Sequence, residues 1–196
     1  MASWRSRGSS PNGRSNGNWP NERAPAGAII AQTSRLLLRE LEEGDAAFIL
    51  KLLNEPSFLR YIGDKGARTP EDARRYIQDG PRSSYAQNGF GLYLVQTQAG
   101  GERIGICGLV KREALFDVDI GFAFLPAFWS QGYALEACQS VMHLARSRFR
   151  IERVVAITSR DNESSMRLLR KIGLDFERTM NLPGQSESVN LFVPKE

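Results

Sequence analysis

The sequence predicts an α/β fold, a mixed sheet with helices on both faces, in the order β-α-α-β-β-β-α-β-α-β-β. Three observations carry this. Apolar runs at Phe90 to Thr97, Arg103 to Arg112 and Val118 to Leu125 follow one another through short connections, as strands joined by hairpins do. From Gly132 onward, helical periodicities alternate with short apolar runs, which adds parallel pairing to the hairpins. The 196 residues are 41% hydrophobic and 24% charged, the balance of one ordinary globular domain.

Each element has a local reason. "TSRLLLREL" (Thr33 to Leu41) alternates weakly and reads as the first strand. In "EEGDAAFILKLLNEP", Asp45 is the expected N-cap, Phe48, Ile49, Leu52 and Leu53 recur at helical spacing, and Pro56 is the expected stop. In "RTPEDARRYIQDGP", Thr69 caps a second helix, Pro70 takes its first position, and Gly80-Pro81 ends it. "QAGGE" turns the first of the three apolar runs into the second. Between Gly132 and Arg150 the residues Ala134, Cys138, Val141, Met142, Ala145 and Phe149 fall on one helical face. "RVVAIT" (Arg153 to Thr158) is a short buried strand. "NESSMRLLRKIG" is a helix with Met166, Leu169 and Ile172 on one side and Gly173 at its end. "FERTMNL" and "SVNLFV" close the chain as two strands joined around Pro183-Gly184. No internal repeat is present.

Residues 1–32 read differently. They are rich in Ser, Gly, Asn, Pro and Arg and lack periodicity, so they are expected to form a disordered basic tail ahead of a domain spanning 33–196. Arg5, Arg7, Arg14 and Arg23 against Glu22 place a net +3 of the chain's +4 there. The body carries no nucleic-acid charge signature, so nucleic acid is a disfavoured partner. The tail has neither the apolar core of a signal peptide nor the amphipathic pattern of a transit peptide. No apolar run approaches the roughly 18 residues of a membrane span, and no membrane partner is expected. Cys107 and Cys138 lie in apolar contexts and read as small buried hydrophobes in a reducing, cytoplasmic setting. His143 has no ligand-spaced partner, so no metal is expected.

The stretch "DVDIGFAFLPAFWSQGYALEAC" (Asp117 to Cys138) passes from strand through a small-residue turn into a helix. A helix start presents unpaired N–H groups and partial positive charge, which favour an anion. Gly132 and Ala134 would admit a bulky ligand there, although a tight turn needs small residues for steric reasons alone. Neither a dinucleotide fingerprint nor a P-loop is present.

"DIGFAFLPAFWSQGYALEA" resembles the acetyl-CoA-binding motif of the GNAT N-acetyltransferases, especially the ribosomal-protein N-terminal acetyltransferase branch. The likeness runs from about Thr33 to about Val193 and includes "RLLLREL" and "ITSRDNESSMRLLRKIGLDFE". Two departures stand out. Trp129 replaces the superfamily's Arg or Gln at the head of the turn, and Ser130-Gln131 replaces the branch's Gly-Lys, which removes a cation. The resemblance implies acetyl-CoA as co-substrate and acetyl transfer to a primary amine, on a peptide N-terminus or a small molecule. It implies a pantetheine arm bonded along Ala123, Phe124 and Leu125, with Asn162 nearby as well as capping its helix. It also implies a diphosphate on the N–H groups of Ser130, Gln131, Gly132, Tyr133 and Ala134. The acceptor is expected between the first two helices and the last hairpin, where Phe58, Tyr61 and Tyr76 are candidates for its walls; core or rim packing is the commoner fate of such aromatics.

The amine must be neutral to attack. For a lysine-like amine near pKa 10.4 this costs about 4.6 kcal/mol at pH 7, and for an α-amine near 7.7–8.0 only about 1–1.4 kcal/mol. Asp119, at the acidic position of the family strand, is the candidate base, with a solvated carboxylate near a strand end, or one paired with an arginine, as its alternative. Glu113 and Asp117 are weaker alternatives. Many GNAT enzymes carry a tyrosine acid where Leu169 stands. Ser165 offers a hydroxyl to the departing sulfur instead, with local bonding near the helix cap as its alternative. A non-catalytic acyl-CoA-binding module is the alternative to an enzyme, and an RNA- or ribosome-associated factor is a third.

Overall fold

The computed structural model describes residues 27–183 and 187–195. In chain order the strands are β1 (Ile29–Gln32), β2 (Leu36–Arg39), β3 (Leu92–Thr97), β4 (Arg103–Val110), β5 (Val118–Phe124), β6 (Val154–Ser159), β7 (Leu174–Met180) and β8 (Val189–Pro194). The helices are α1 (Ala46–Leu53), α2 (Pro56–Tyr61), α3 (Pro70–Ile77), α4 (Ser83–Asn88), α5 (Tyr133–Ser147) and α6 (Glu163–Lys171).

The strands form one sheet in the order β1-β2-β3-β4-β5-β6-β8-β7. All neighbours pair antiparallel except β5 and β6, which run parallel. Successive strand residues point to opposite faces, and each face has its own core. On one face Tyr93, Val95 and Cys107 meet Ala137, Cys138, Val141 and Ala145 of α5 and Leu169 of α6. On the other, Leu94 and Ile106 meet Phe48, Ile49 and Leu52 of α1, Phe58 of α2, and Ala73 and Ile77 of α3. The predicted mixed α/β architecture, with helices on both faces, is the one observed. The thiols of Cys107 and Cys138 are free, buried and 3.7 Å apart within the first core, where burial pushes the Cys138 thiol well up.

Several local expectations are corrected. Ile29–Gln32, placed in the tail by the predicted boundary at residue 33, forms β1, because its short apolar run pairs along β2; residues 1–26 lie outside the described residues. Pro56 does not end the helical region but opens α2, at the one helical position where a missing N–H costs nothing. Gly80-Pro81 does not stop the second predicted helix either: a π-helical turn at Gln78–Arg82 carries it into α4. Asp45 is not a side-chain N-cap of α1. It is buried, with its two oxygens 2.8 Å from the Arg39 guanidinium nitrogens and one of them accepting the Glu42 N–H at 2.9 Å. Thr69, by contrast, does cap α3, accepting the Asp72 N–H at 3.2 Å. Among the described residues, no helix is long and apolar enough to cross a membrane.

Candidate active site

The parallel pair β5–β6 touches in register only at Val118–Val154 and Asp119–Val155. Beyond that point β5 continues to Phe124 and β6 to Ser159 without pairing to each other, so the sheet opens into a gap. A cavity of about 670 Å³ lies at this gap, lined by Phe122, Ala123 and Phe124 of β5, by Asn162, Ser164 and Ser165 at the start of α6, and by Phe58, Tyr61 and Ile62 at α2.

Backbone direction follows from the register. The Leu125 N–H donates to the Ile104 carbonyl at 2.9 Å, and antiparallel strands bond through alternate residues. Ala123 and Leu125 therefore face β4, while Phe122 and Phe124 direct their backbone groups into the gap. The Phe124 carbonyl accepts the Trp129 indole N–H at 2.8 Å.

The chain then turns into α5. Ser130 and Gly132 both adopt left-handed conformations, with φ of 60° and 82°, a geometry that aims successive N–H groups to one side. Gly132 occupies the N-cap position of α5 and offers no side-chain cap. Among the described residues, the N–H groups from Ser130 to Leu135 have no protein acceptor, and the first bonded one is that of Glu136, to the Gly132 carbonyl. A row of free donors at the start of a 15-residue helix is a site for an anion.

One carboxylate fixes this helix start. Glu136 accepts from Thr33 Oγ1 (2.6 Å), Ser34 Oγ (3.2 Å), the Arg35 N–H (3.1 Å) and Arg35 Nε (2.7 Å). Arg35 Nη1 also donates to the Gln131 carbonyl at 3.0 Å, and its guanidinium lies 4.6 Å from the Tyr133 ring centre. Burial pushes the Glu136 carboxyl up, but the bonds from Thr33 and Arg35 outweigh it and hold it below its ordinary value.

A family model described as an acetyltransferase (GNAT) domain matches residues 35–175, more than half of the chain. The chain belongs to the GNAT acetyltransferases. As a GNAT acetyltransferase it is an acyl-transferring enzyme. It is 29% identical over 150 residues to the uncharacterized N-acetyltransferase YoaA of Bacillus subtilis (strain 168), covering 76% of this chain and 84% of that protein. A Salmonella typhimurium acetyl transferase, described as modifying the N-terminal serine of 50S ribosomal subunit protein L7/L12, superposes with a TM-score of 0.70. Its identity is 23%, over 85% of this chain and 98% of that one. RimL, a ribosomal L7/L12 alpha-N-protein acetyltransferase solved in complex with coenzyme A, superposes with a TM-score of 0.66 at 22% identity. That match covers 85% of this chain and 97% of the other. Both structures share the fold, and one of them holds the coenzyme in it.

Set against this GNAT acetyltransferase, the predicted site residues divide. Ala123, Phe124, Ser130, Gly132, Ala134, Asn162, Ser165, Phe58 and Tyr61 line this same cavity. Asn162 caps α6, its Oδ1 accepting the Ser165 N–H at 3.1 Å. Leu125 does not line it: its N–H is bonded to Ile104 and its carbonyl to Phe128. The side chains of Gln131 and Tyr133 also turn away, the first bonding the Ala127 carbonyl at 2.8 Å and the second packing on Phe128; only their N–H groups belong to the donor row.

Tyr76 lies outside the lining, and burial, set against the nearby Arg112, raises its phenol. Asp119 lies three residues before Phe122, about 10 Å along a strand. It is buried and held by Arg112 Nε at 3.0 and 3.2 Å. Burial raises its carboxyl and Arg112 opposes that shift. Leu169 is packed in the core, so even a tyrosine there would not start from the cavity wall.

Sequence reasoning missed Glu55, Phe122, Trp129 and the outer face of α6. Ser164, Arg167, Leu168 and Lys171 recur at helical spacing along the cavity, a face polar but for Leu168 that the pattern contains. Arg35 left no such signal, because its role depends on a contact 101 residues away.

Proposed function

We propose that the chain transfers an acetyl group from acetyl-CoA to a primary amine, on a peptide N-terminus or a small molecule. The observation that carries this reading is the meeting, in one cavity, of an opened parallel strand pair and a helix start with free N–H donors. These features suit the coenzyme. The donors from Ser130 to Ala134 would hold its diphosphate, Gly132 presenting no side chain there. The backbone groups of Phe122 and Phe124 would take its amide-bearing arm, and Asn162 lies beside that path. Bound there, acetyl-CoA supplies a thioester open to attack by a neutral amine.

The remaining chemistry falls to the chain. The Ser165 side chain is half-buried on the cavity wall and would donate toward the departing sulfur. In this reading Asp119, three residues before Phe122 on β5 and held by Arg112, does not take the amine's proton directly. An α-amine loses that proton to water at a cost of about 1–1.4 kcal/mol near pH 7, so such an acceptor needs no strong base. Thiol release from acetyl-CoA, followed with a panel of peptide α-amines, lysine and small primary amines, tests the reading. Release above hydrolysis with at least one amine is expected, α-amines leading. Coenzyme binding without release for any amine would point to a non-catalytic module.

A further inference from the structure

Three carboxylates reach the cavity, from Glu55, Asp161 and Glu163. Two are taken: Asp161 pairs with Arg60 at 2.8 Å and Glu163 with Arg167 at 3.2 Å. Glu55 is not. It occupies the N-cap position of α2, where an acidic side chain ordinarily bonds the first N–H groups, yet it makes no capping bond. It is half-buried, and among the described residues no cation pairs with it. A half-buried carboxylate without a protein partner on a cavity wall keeps its acceptor oxygens available to a ligand.

Its surroundings describe that ligand. Phe58 and Ile62 lie three and seven residues after Glu55, on the same helical face, and Phe122 stands with them in the lining. Of the cavity's cations, Arg167 is taken by Glu163 and Lys171 lies further along α6, about 12 Å beyond Glu163. Lys171 and the α5 N-terminus favour the anionic donor. The α2 end, with a free carboxylate among apolar walls, favours a cation on an apolar body.

We propose that Glu55 is the anchor of the acceptor, accepting hydrogen bonds from its amino group, which arrives as ammonium and passes one proton to water so that the neutral amine, still bonded to the carboxylate, attacks; the acceptor class is a primary amine on an aliphatic or aromatic body rather than one flanked by carboxylates or phosphates. This deepens the acetyltransferase reading and rests on it. The test uses the full-length protein with 2-phenylethylamine and a tripeptide amide bearing a free α-amine. Glu55→Gln raises KM for both by about tenfold to a hundredfold, the loss of one hydrogen bond to a charged group, and leaves acetyl-CoA affinity within about twofold of wild type. Calorimetric titration of 2-phenylethylamine into the CoA-loaded protein, which has no acetyl group to give, shows the same loss; Glu55→Asp recovers part of it.

Unchanged KM and unchanged amine affinity in Glu55→Gln overturn the anchor while leaving the enzyme reading intact. A fall in acetyl-CoA affinity or in melting temperature that accounts for the KM change also overturns it, by assigning Glu55 to the donor or the scaffold. Absence of thiol release by the wild type removes the enzyme reading separately, and the calorimetric titration still decides Glu55.

Discussion

At Gly132 the left-handed backbone and the proposed phosphate contact meet in one residue. A β-carbon there would lie 3.2 Å from Arg35 Nη2, and the conformation itself is unfavourable for any L side chain. Gly132→Ala is expected to lower stability by about 1–2 kcal/mol and to weaken acetyl-CoA binding at least about tenfold, read by urea denaturation and calorimetry. Asp119 behaves differently in this account. Asp119→Asn should leave kcat within about threefold of wild type, because the carboxylate serves Arg112 and not the cavity; a hundredfold fall in kcat with unchanged melting would restore it as the base. The sequence showed Asp119 as an acid interrupting an apolar strand, which is equally the mark of a buried ion pair. The arginine that decides between these readings, Arg112, sits two residues past the end of β4 and is identified only by the pairing of Val110 with Asp119.

The element that matters most is α5, whose start is tied to the connection between β1 and β2 through Glu136. Losing that carboxylate's charged bonds is expected to cost about 2 kcal/mol in Glu136→Gln. The pH dependence has a definite sign. The Glu136 carboxyl lies below its ordinary 4.5 in the folded chain, so its contribution is fully present above about pH 4.5 and is lost as pH falls through the depressed folded value. The stability gap between wild type and Glu136→Gln should therefore shrink in acid, in urea titrations compared at about pH 7 and about pH 3.5. A gap that grew in acid would contradict the anchor. Elements with a strong period and a cap were legible beforehand: α5 and α6 from their apolar faces, and α3 from Thr69 and Pro70. Elements begun or bridged by proline were not. Pro56 and Pro81 read as breaks, yet proline is harmless at the first helical position and is carried in a π-turn.

At the scale of the molecule, the cavity is assembled from stretches around residues 55–62, 122–135 and 161–171. The middle one was readable from its turn and helix start, because a row of free N–H donors is a local property of backbone. The outer two were reached through the family resemblance, which pointed to Phe58, Tyr61, Asn162 and Ser165; Glu55 was not, since its side chain acquires meaning only where the sheet splits between β5 and β6. That split is the central claim: it turns an unpaired strand edge and the α5 N-terminus into one coenzyme site. A crystal structure of the protein grown with coenzyme A tests it directly. The account predicts the diphosphate on the N–H groups of Ser130 to Ala134 and the pantetheine arm alongside Phe122 and Phe124; coenzyme bound elsewhere, or a gap filled by the protein's own side chains, would contradict it.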